Sequence, residues 1–262
     1  MKKYKVVISW MGILLYVLLI SGFVNRRQEL TLCNVIEVNV ADSLMNRLIE
    51  PGEIVEFIDK KQNKIRGYPI GPINSLELEE KIKEFPAVKD AQVYKTINGT
   101  LCVNVIQRKP ILRVIDKKGF GYYIDKEGVL LPLVNHYSAH LIVANGNIPA
   151  IDRSNLNQPV FGMDRKQIAV QTLFELHDFA NYIYDDPFWK SQFVQVYRNA
   201  KGEYELIPRV GSHIIELGTM EDYQYKLHKL EGLYFKGLNA LGWNEYERIN
   251  LKFSNQVVCT KR

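Results

Sequence analysis

The first pattern along the chain is an uncharged run of 20 residues from Val6 to Asn25. A helix of this length spans roughly 30 Å at about 1.5 Å of rise per residue, which matches the hydrocarbon core of a bilayer. Three lysines precede the run and two arginines follow it, a balance that favours a cytoplasmic N-terminus. The pattern therefore predicts a cytoplasmic tail over residues 1–5 and a transmembrane helix over residues 6–25, with the rest of the chain outside the cytoplasm.

A cleaved signal peptide is the alternative interpretation of this run. The apolar region of a signal peptide is usually about 7–15 residues long and is followed by small residues at the cleavage site. Here the run is longer, and Phe23 and Val24 are bulky residues where cleavage needs small ones. We therefore expect an anchor that is retained, and a mature N-terminus near residue 25 would contradict this.

Residues 28–109 carry the pattern of a small α+β unit. The apolar and turn-forming positions predict strand, helix, helix, strand and strand, in that order. The markers are the β-branched residues of Val35–Val40, a helix start at Pro51, a helix cap at Ser75 and a hairpin turn at Asn98-Gly99. We therefore expect one small domain in which two helices follow the first strand along the chain and precede a hairpin.

Residues 110–262 predict a second unit of many short strands and two long helices. One helix is expected over about residues 165–184 and the other along a stripe from Tyr223 to Leu241, because apolar residues recur there at helical spacing. The final strands are expected at Arg248–Phe253 and Gln256–Thr260. This composition of elements predicts a mainly antiparallel sheet with helices on one face, so the fold class is α+β.

Composition and charge narrow the functional classes. Apolar residues make up 47% of the chain and charged residues 24%, as in a folded protein. The net charge is +5, but lysine and arginine are scattered among acidic residues, which argues against nucleic-acid binding. Cys33, Cys102 and Cys259 lie far apart without a paired motif, so we interpret them as small apolar side chains rather than as disulfide or zinc ligands.

The sequence offers few candidates for catalysis or metal binding. His136 and His140 have a spacing that could bind a metal only on a helix, but their neighbours favour a loop. Asp116 and Asp125 could form a carboxylate pair, but each precedes a glycine and is explained by a turn. Nucleophile-elbow and phosphate-loop motifs are absent from the sequence. We therefore predict no catalytic residue, no metal and no cofactor.

Three blocks of sequence resemble one family of proteins. The blocks are Val105–Pro110, Gly121–Pro132 and a C-terminal series made of Ile215–Gly218, Lys226–Leu230 and Arg248–Val258. In this order and spacing, behind an N-terminal apolar run, the chain resembles the FtsQ/DivIB family of bacterial cell-division proteins over nearly its whole length.

The resemblance implies a POTRA domain over residues 28–109, followed over residues 110–262 by the domain usually called β. It also implies a non-enzymatic scaffold of the inner membrane at the division septum, which recruits the small coiled-coil proteins FtsB and FtsL. In the family, the partner adds a strand beside the last strand of the β domain. Other division proteins could bind the POTRA domain.

Strand addition agrees with what the sequence shows, because a strand near a chain terminus is a natural sheet edge with unpaired main-chain groups. We therefore place the partner-binding edge between Phe253 and Thr260, with main-chain bonds giving affinity and alternate side chains giving selectivity. The predicted residues are Phe253, Ser254, Asn255, Gln256, Val257, Val258 and Thr260. The alternative is that this strand is central or covered, and that these side chains belong to an ordinary core.

Two other functions remain open from the sequence. A POTRA-containing protein of secretion or envelope assembly is one, although such proteins usually repeat the POTRA unit or join it to a transmembrane barrel. A membrane-anchored envelope enzyme is the other, and it would need a convergent set of titratable groups that the sequence does not reveal.

Overall fold

The structure is a computed structural model, and it describes residues 10–21, 31–42, 46–61, 65–238 and 242–262. The chain divides into two compact units, residues 1–107 and residues 108–262. We call these the first unit and the second unit.

In the N-terminal segment, the described residues 10–21 form a helix, α1. Within the part of the chain that the structure describes, no helix has the length and apolar character that a membrane span requires. The predicted tail at 1–5, and the two ends of the predicted anchor at 6–9 and 22–25, lie outside the described residues.

The first unit has the predicted order of elements. These are β1 (Val35–Val40), α2 (Pro51–Lys61), α3 (Ser75–Lys83), β2 (Val88–Lys95) and β3 (Thr100–Gln107). The strands form a sheet of order β1-β3-β2, in which β1 is parallel and β2 antiparallel to β3. Buried residues such as Ile54, Leu78 and Val103 place the helices over one face of this sheet.

Two local details of the first unit concern a hairpin turn and the start of a helix. Gly99 has φ +83°, and a Cβ there would lie 2.3 Å from the Leu32 carbonyl oxygen, so the predicted hairpin turn needs glycine. The helix cap predicted at Ser75 is wrong by one residue. Ser75 is the first helical residue, and the Asn74 side chain accepts a hydrogen bond from the Glu77 N–H at 3.3 Å. Asparagine caps a helix as well as serine does, so residue type alone could not choose between them.

The second unit contains short strands interrupted by helices. The strands are β4 (Pro110–Ile115), β5 (Gly121–Asp125), β6 (Leu130–Pro132), β7 (Ile142–Gly146), β8 (Phe193–Arg198), β9 (Tyr204–Pro208), β10 (Ile214–Gly218), β11 (Tyr246–Asn250) and β12 (Val258–Lys261). The helices are α4 (Ile168–Asp185), α5 (Pro187–Gln192) and α6 (Tyr223–Leu233), which continues as a π-helical turn over Tyr234–Leu238. Single 3-10 turns occur at Arg153–Asn155 and Val160–Gly162.

Within the described residues, these strands form one sheet of order β12-β11-β10-β9-β8-β7-β4-β5-β6. The pairs β4–β7, β7–β8 and β10–β11 are parallel, and the other five pairs are antiparallel. The sheet is therefore mixed, although antiparallel pairs predominate as expected. Parallel neighbours need a long crossover, and α4 connects β7 to β8 while α6 connects β10 to β11.

The core of the second unit lies between one face of the sheet and the helices. Alternate strand residues and the apolar stripes of α4 and α6 belong to a single buried cluster. Its members include Val196, Leu206, Ile215 and Ile249 from the strands, and Leu173, Leu176, Leu227 and Leu230 from the helices. The helices therefore cover one face, as the sequence predicted, and they position the strands at the end of the sheet.

Candidate partner-binding edge

The last strand of the second unit, β12, lies at one end of the nine-stranded sheet. It runs antiparallel to β11, with Cys259 opposite Ile249 and Val258 opposite Asn250. Of the predicted site residues, Val258 and Thr260 therefore belong to an edge strand. We use the name C-terminal edge for β12 together with the preceding loop, residues 251–257.

The rest of the predicted site is not a strand. Phe253, Ser254 and Asn255 form a bend, and Gln256 and Val257 lead from that bend into β12. The strand predicted over Arg248–Phe253 therefore ends earlier, at Asn250, and the strand predicted over Gln256–Thr260 begins later, at Val258, so much of the predicted edge is a loop.

The physical reason is a turn at the end of β11. The side chain of Asn250 accepts a hydrogen bond at 3.0 Å from the N–H of Lys252, two residues further on, which is an Asx-turn geometry. The N–H of Leu251 still donates to the Glu216 carbonyl on β10 at 2.9 Å, so the chain leaves the sheet just after it.

The loop of the C-terminal edge is attached to α6 by one side chain. The Lys229 ammonium donates to the carbonyl oxygens of Leu251, at 3.1 Å, and Phe253, and it lies 3.5 Å from that of Gln256. Its Nζ also lies 5.3 Å from the centre of the Tyr225 ring, one turn earlier on the helix. The charge of one lysine thus holds main-chain groups from both ends and the middle of the loop.

The side chains of the C-terminal edge face two different surroundings. Val257 and Cys259 are partly buried against the core, as are the rings of Trp243 and Tyr246. Burial raises the pKa of the Cys259 thiol, which keeps it protonated and apolar at neutral pH. Val258, on the opposite face, is 41% exposed.

Phe253 and Asn255 lie in the bend, so side chains alternate between two faces of the edge only from Val257 onwards. On one side Val257 and Cys259 pack towards the helices, and on the other Val258 and Thr260 are exposed.

The main-chain groups of β12 also alternate in direction. The Arg262 N–H donates to the Glu245 carbonyl at 3.2 Å, on the β11 side. Because successive residues of a strand point their N–H and C=O groups to opposite sides, Thr260 and Val258 also face β11. Cys259 and Lys261 then direct their main-chain groups to the open side. Lys261 was not among the predicted residues, because the strand predicted from the sequence pattern stops at Thr260.

A polar network lies on the sheet face opposite the helices, next to the C-terminal edge. The Glu216 carboxylate on β10 accepts hydrogen bonds from Arg248, at 2.6 Å, and from Asn250, at 2.7 Å, both on β11. Lys252 lies 3.3 Å from the Glu203 carboxylate. Arg248 also lies 4.0 Å from the Glu205 carboxylate on β9, so these contacts link β9, β10 and β11 and help to fix β11, the strand that pairs with β12.

The far end of β12 is held near a buried histidine. The Arg262 guanidinium donates to the Ser212 carbonyl at 2.7 Å. Beside it, the ring of His213 lies 3.3 Å from the Tyr234 hydroxyl and stacks on Trp243. Burial lowers the pKa of His213 below its usual value. The neutral ring is therefore the form that fits this end of the sheet.

The first unit has a different kind of edge at β2. There the N–H of Val93 donates to the Glu79 carboxylate at 2.7 Å, and the N–H of Ala91 donates to the Asp90 side chain at 2.9 Å. Carboxylates of the unit itself therefore occupy donors of this edge strand, a device that blocks pairing with other chains.

The candidate catalytic and metal-binding residues have structural surroundings. Asp116 accepts from the N–H groups of Lys118 and Phe120, and Asp125 accepts from those of Glu127 and Val129, so both carboxylates close turns. His136 and His140 lie in an irregular segment, as expected. Across the described residues, no group of three or more His, Cys, Asp or Glu side chains is arranged to hold a metal ion.

Comparison with known families agrees with the two units. A family model described as POTRA-like domain matches residues 31–106, and one described as FtsQ/DivIB, C-terminal related, matches residues 109–260. A search of curated proteins found no match. The second model alone covers more than half of the chain and includes nearly all of the C-terminal edge, and the resemblance predicted from the sequence is confirmed. The chain belongs to the FtsQ/DivIB family of cell-division proteins.

Proposed function

We propose that the chain is a non-enzymatic scaffold of the division site, which recruits small coiled-coil division proteins of the FtsB and FtsL type by accepting a strand beside β12. The family supports a division role without catalysis. The observation that carries the strand-addition proposal is the position of β12 at the end of the sheet, with the main-chain groups of Cys259 and Lys261 directed outward.

The surroundings of β12 indicate which strand would fit. A partner strand would place alternate side chains beside the partly buried Val257 and Cys259, where apolar residues are favoured. The intervening side chains would lie beside Val258 and Thr260, which are exposed to water. The proposed partner segment is therefore a short strand that alternates apolar and polar residues.

The proposal includes a membrane location at the septum. Its support is the family and the uncharged run at residues 6–25, which has the length of a bilayer-spanning helix. Scaffolds of this kind bind partners on the extracytoplasmic side, where residues 28–262 would lie. The first unit offers a further surface to which other division proteins could bind.

The experiment uses the full-length chain and a matched pair of variants at one position. Lys261→Pro removes an outward N–H from the edge strand, whereas Lys261→Ala keeps it, and the side chain is exposed in either case. Binding of extracytoplasmic segments of FtsB-type and FtsL-type proteins is measured by calorimetry. We expect Lys261→Pro to weaken binding at least tenfold and Lys261→Ala to change it less than threefold.

Hydrogen exchange then locates the contact. On binding, we expect protection at residues 258–261. Protection elsewhere, with equal affinities for the two Lys261 variants, would keep the scaffold role and reject the C-terminal edge as its site. No binding by the unaltered chain would reject the recruitment proposal itself.

A further inference from the structure

The loop of the C-terminal edge has little apolar packing of its own. Residues 252–256 are all exposed, including Phe253 at 47% exposure, while Leu251 before them is fully buried. Exposed side chains do not determine one loop conformation. Its shape therefore depends on the polar contacts that reach it from elsewhere.

Lys229 supplies the central contact. An ammonium group has three donors and no acceptor, and three carbonyl oxygens of the loop, from Leu251, Phe253 and Gln256, surround it. Without the ammonium, these three oxygens would lie close together with no donor between them. The four-carbon stem of Lys229 starts on α6, next to the buried Leu230, so its origin is fixed by the core.

This contact acts on the register of β12. Gln256 lies two residues before Val258, where pairing with β11 begins. A slip of one residue would turn Cys259 outward and Val258 inward, because side chains alternate along a strand. Holding the Gln256 carbonyl therefore fixes which residues of β12 present outward main-chain groups.

We propose that Lys229 is a positioning residue, which holds the β11–β12 loop so that β12 presents its edge in one register to a partner strand. This inference rests on the proposed function, since it concerns the same edge. It adds a residue on a different element, outside the predicted site.

The same helix offers a matched control. The Lys226 ammonium also donates to a main-chain carbonyl, that of Thr219, at 2.8 Å, but on the connection that precedes α6. Lys226→Met and Lys229→Met thus remove the same kind of bond from the same helix. Only the second bond belongs to the C-terminal edge.

The first measurement needs no partner. Hydrogen exchange of residues 253–261 and the rate of alkylation of Cys259 are compared in the full-length chain and its variants. We expect Lys229→Met to increase both at least tenfold, and Lys226→Met to leave both unchanged. Equal exchange in Lys229→Met and the unaltered chain would overturn the inference. If Lys229→Met lowers the thermal midpoint of the whole second unit, Lys229→Gln, which removes the charge and shortens the side chain but keeps a polar end group, replaces it with the same criteria.

The second measurement separates this inference from the proposed function. Affinity for FtsB-type and FtsL-type segments is expected to fall at least tenfold in Lys229→Met and less than threefold in Lys226→Met. Faster exchange with unchanged affinity would overturn the positioning role and leave the proposed function intact. A lack of binding by the unaltered chain would instead overturn the proposed function, and the positioning role with it.

Discussion

The Arg248 guanidinium on β11 lies 2.6 Å from the Glu216 carboxylate on β10, across the parallel pair of strands that supports the sheet edge. Glu216 also accepts from Asn250, so a single carboxylate joins two residues of β11 to β10. Both members of the Arg248–Glu216 pair are partly exposed, and water therefore weakens the attraction between their charges.

Replacing this carboxylate should loosen the support of β12. Glu216→Gln keeps one acceptor but loses the charge, and we expect the free energy of unfolding to fall by about 1 kcal/mol. Glu247→Gln, at an exposed position of the neighbouring strand β11, serves as control, with a change within about 0.5 kcal/mol. Urea unfolding measures both. Equal losses for the two variants would show that the Glu216 contacts contribute little.

Phe253 is expected to act in binding rather than in folding. Its side chain is 47% exposed in the β11–β12 loop, so Phe253→Ala should change the thermal midpoint by less than about 2 °C. We expect its affinity for an FtsB-type segment to fall, by up to about tenfold, because aromatic side chains supply much contact area in interfaces. Calorimetry checks this. An unchanged affinity in the folded variant would remove Phe253 from the site.

The buried His213 should make the second unit sensitive to acid. Burial lowers the pKa of His213 in the folded state, so the unfolded chain binds the proton more readily. The stability that the neutral ring contributes is present above about pH 6.5, the usual pKa of histidine, and is lost as the pH falls through the lower folded value.

Substitution identifies the group responsible. Urea unfolding between pH 5 and pH 8 should show a shallower dependence on pH in His213→Phe than in the unaltered chain. The exposed His228 gives the control, since His228→Gln should keep the original dependence. Identical slopes in all three proteins would assign the acid sensitivity to other groups.

The carboxylates at the β2 edge should protect the first unit from self-association. Glu79→Ala leaves the Val93 N–H without its acceptor, and we expect a loss of about 1–2 kcal/mol together with dimers or larger species. Glu80→Ala, one residue away with a 76% exposed side chain, is the control. Sedimentation velocity distinguishes them. A monomeric Glu79→Ala variant would show that this edge is protected by other means.

Local signals in the sequence predicted local structure well. The hairpin at Gly99, the turns at Asp116 and Asp125, and the order of elements in the first unit all rest on residues close together in the chain. Such residues restrict the backbone directly, so their effect does not depend on distant partners.

Distant pairings were not predictable in the same way. Nothing in the sequence of β4 indicates that β7, rather than β6, lies beside it, and β11 gives no sign of its parallel pairing with β10. Strand order depends on how the helices cover the sheet, which is a property of the whole unit.

The candidate site combines a feature that the sequence predicted with one that it did not. Position at the sheet edge was expected from the place of the strand in the chain, but its start at Val258 was not. Phe253 and Val257 are four residues apart, a spacing that places them on the same side of an extended strand, whereas the Asn250 turn and the Lys229 contacts make the stretch between them a loop. Lys229 lies in the block Lys226–Leu230, but nothing near it in the sequence indicates a contact with the β11–β12 loop.

The mixed order of the nine-stranded sheet has a consequence for how the second unit folds. Hairpins such as β4–β5, β8–β9 and β11–β12 close over a few residues, but the β7–β8 and β10–β11 pairs can form only after α4 and α6 have folded across the sheet. Because non-local pairings form slowly, we expect the hairpins to exist first as separate pieces. During that interval each hairpin has two open sides, so newly made chains are most prone to associate with one another before the two helices pack.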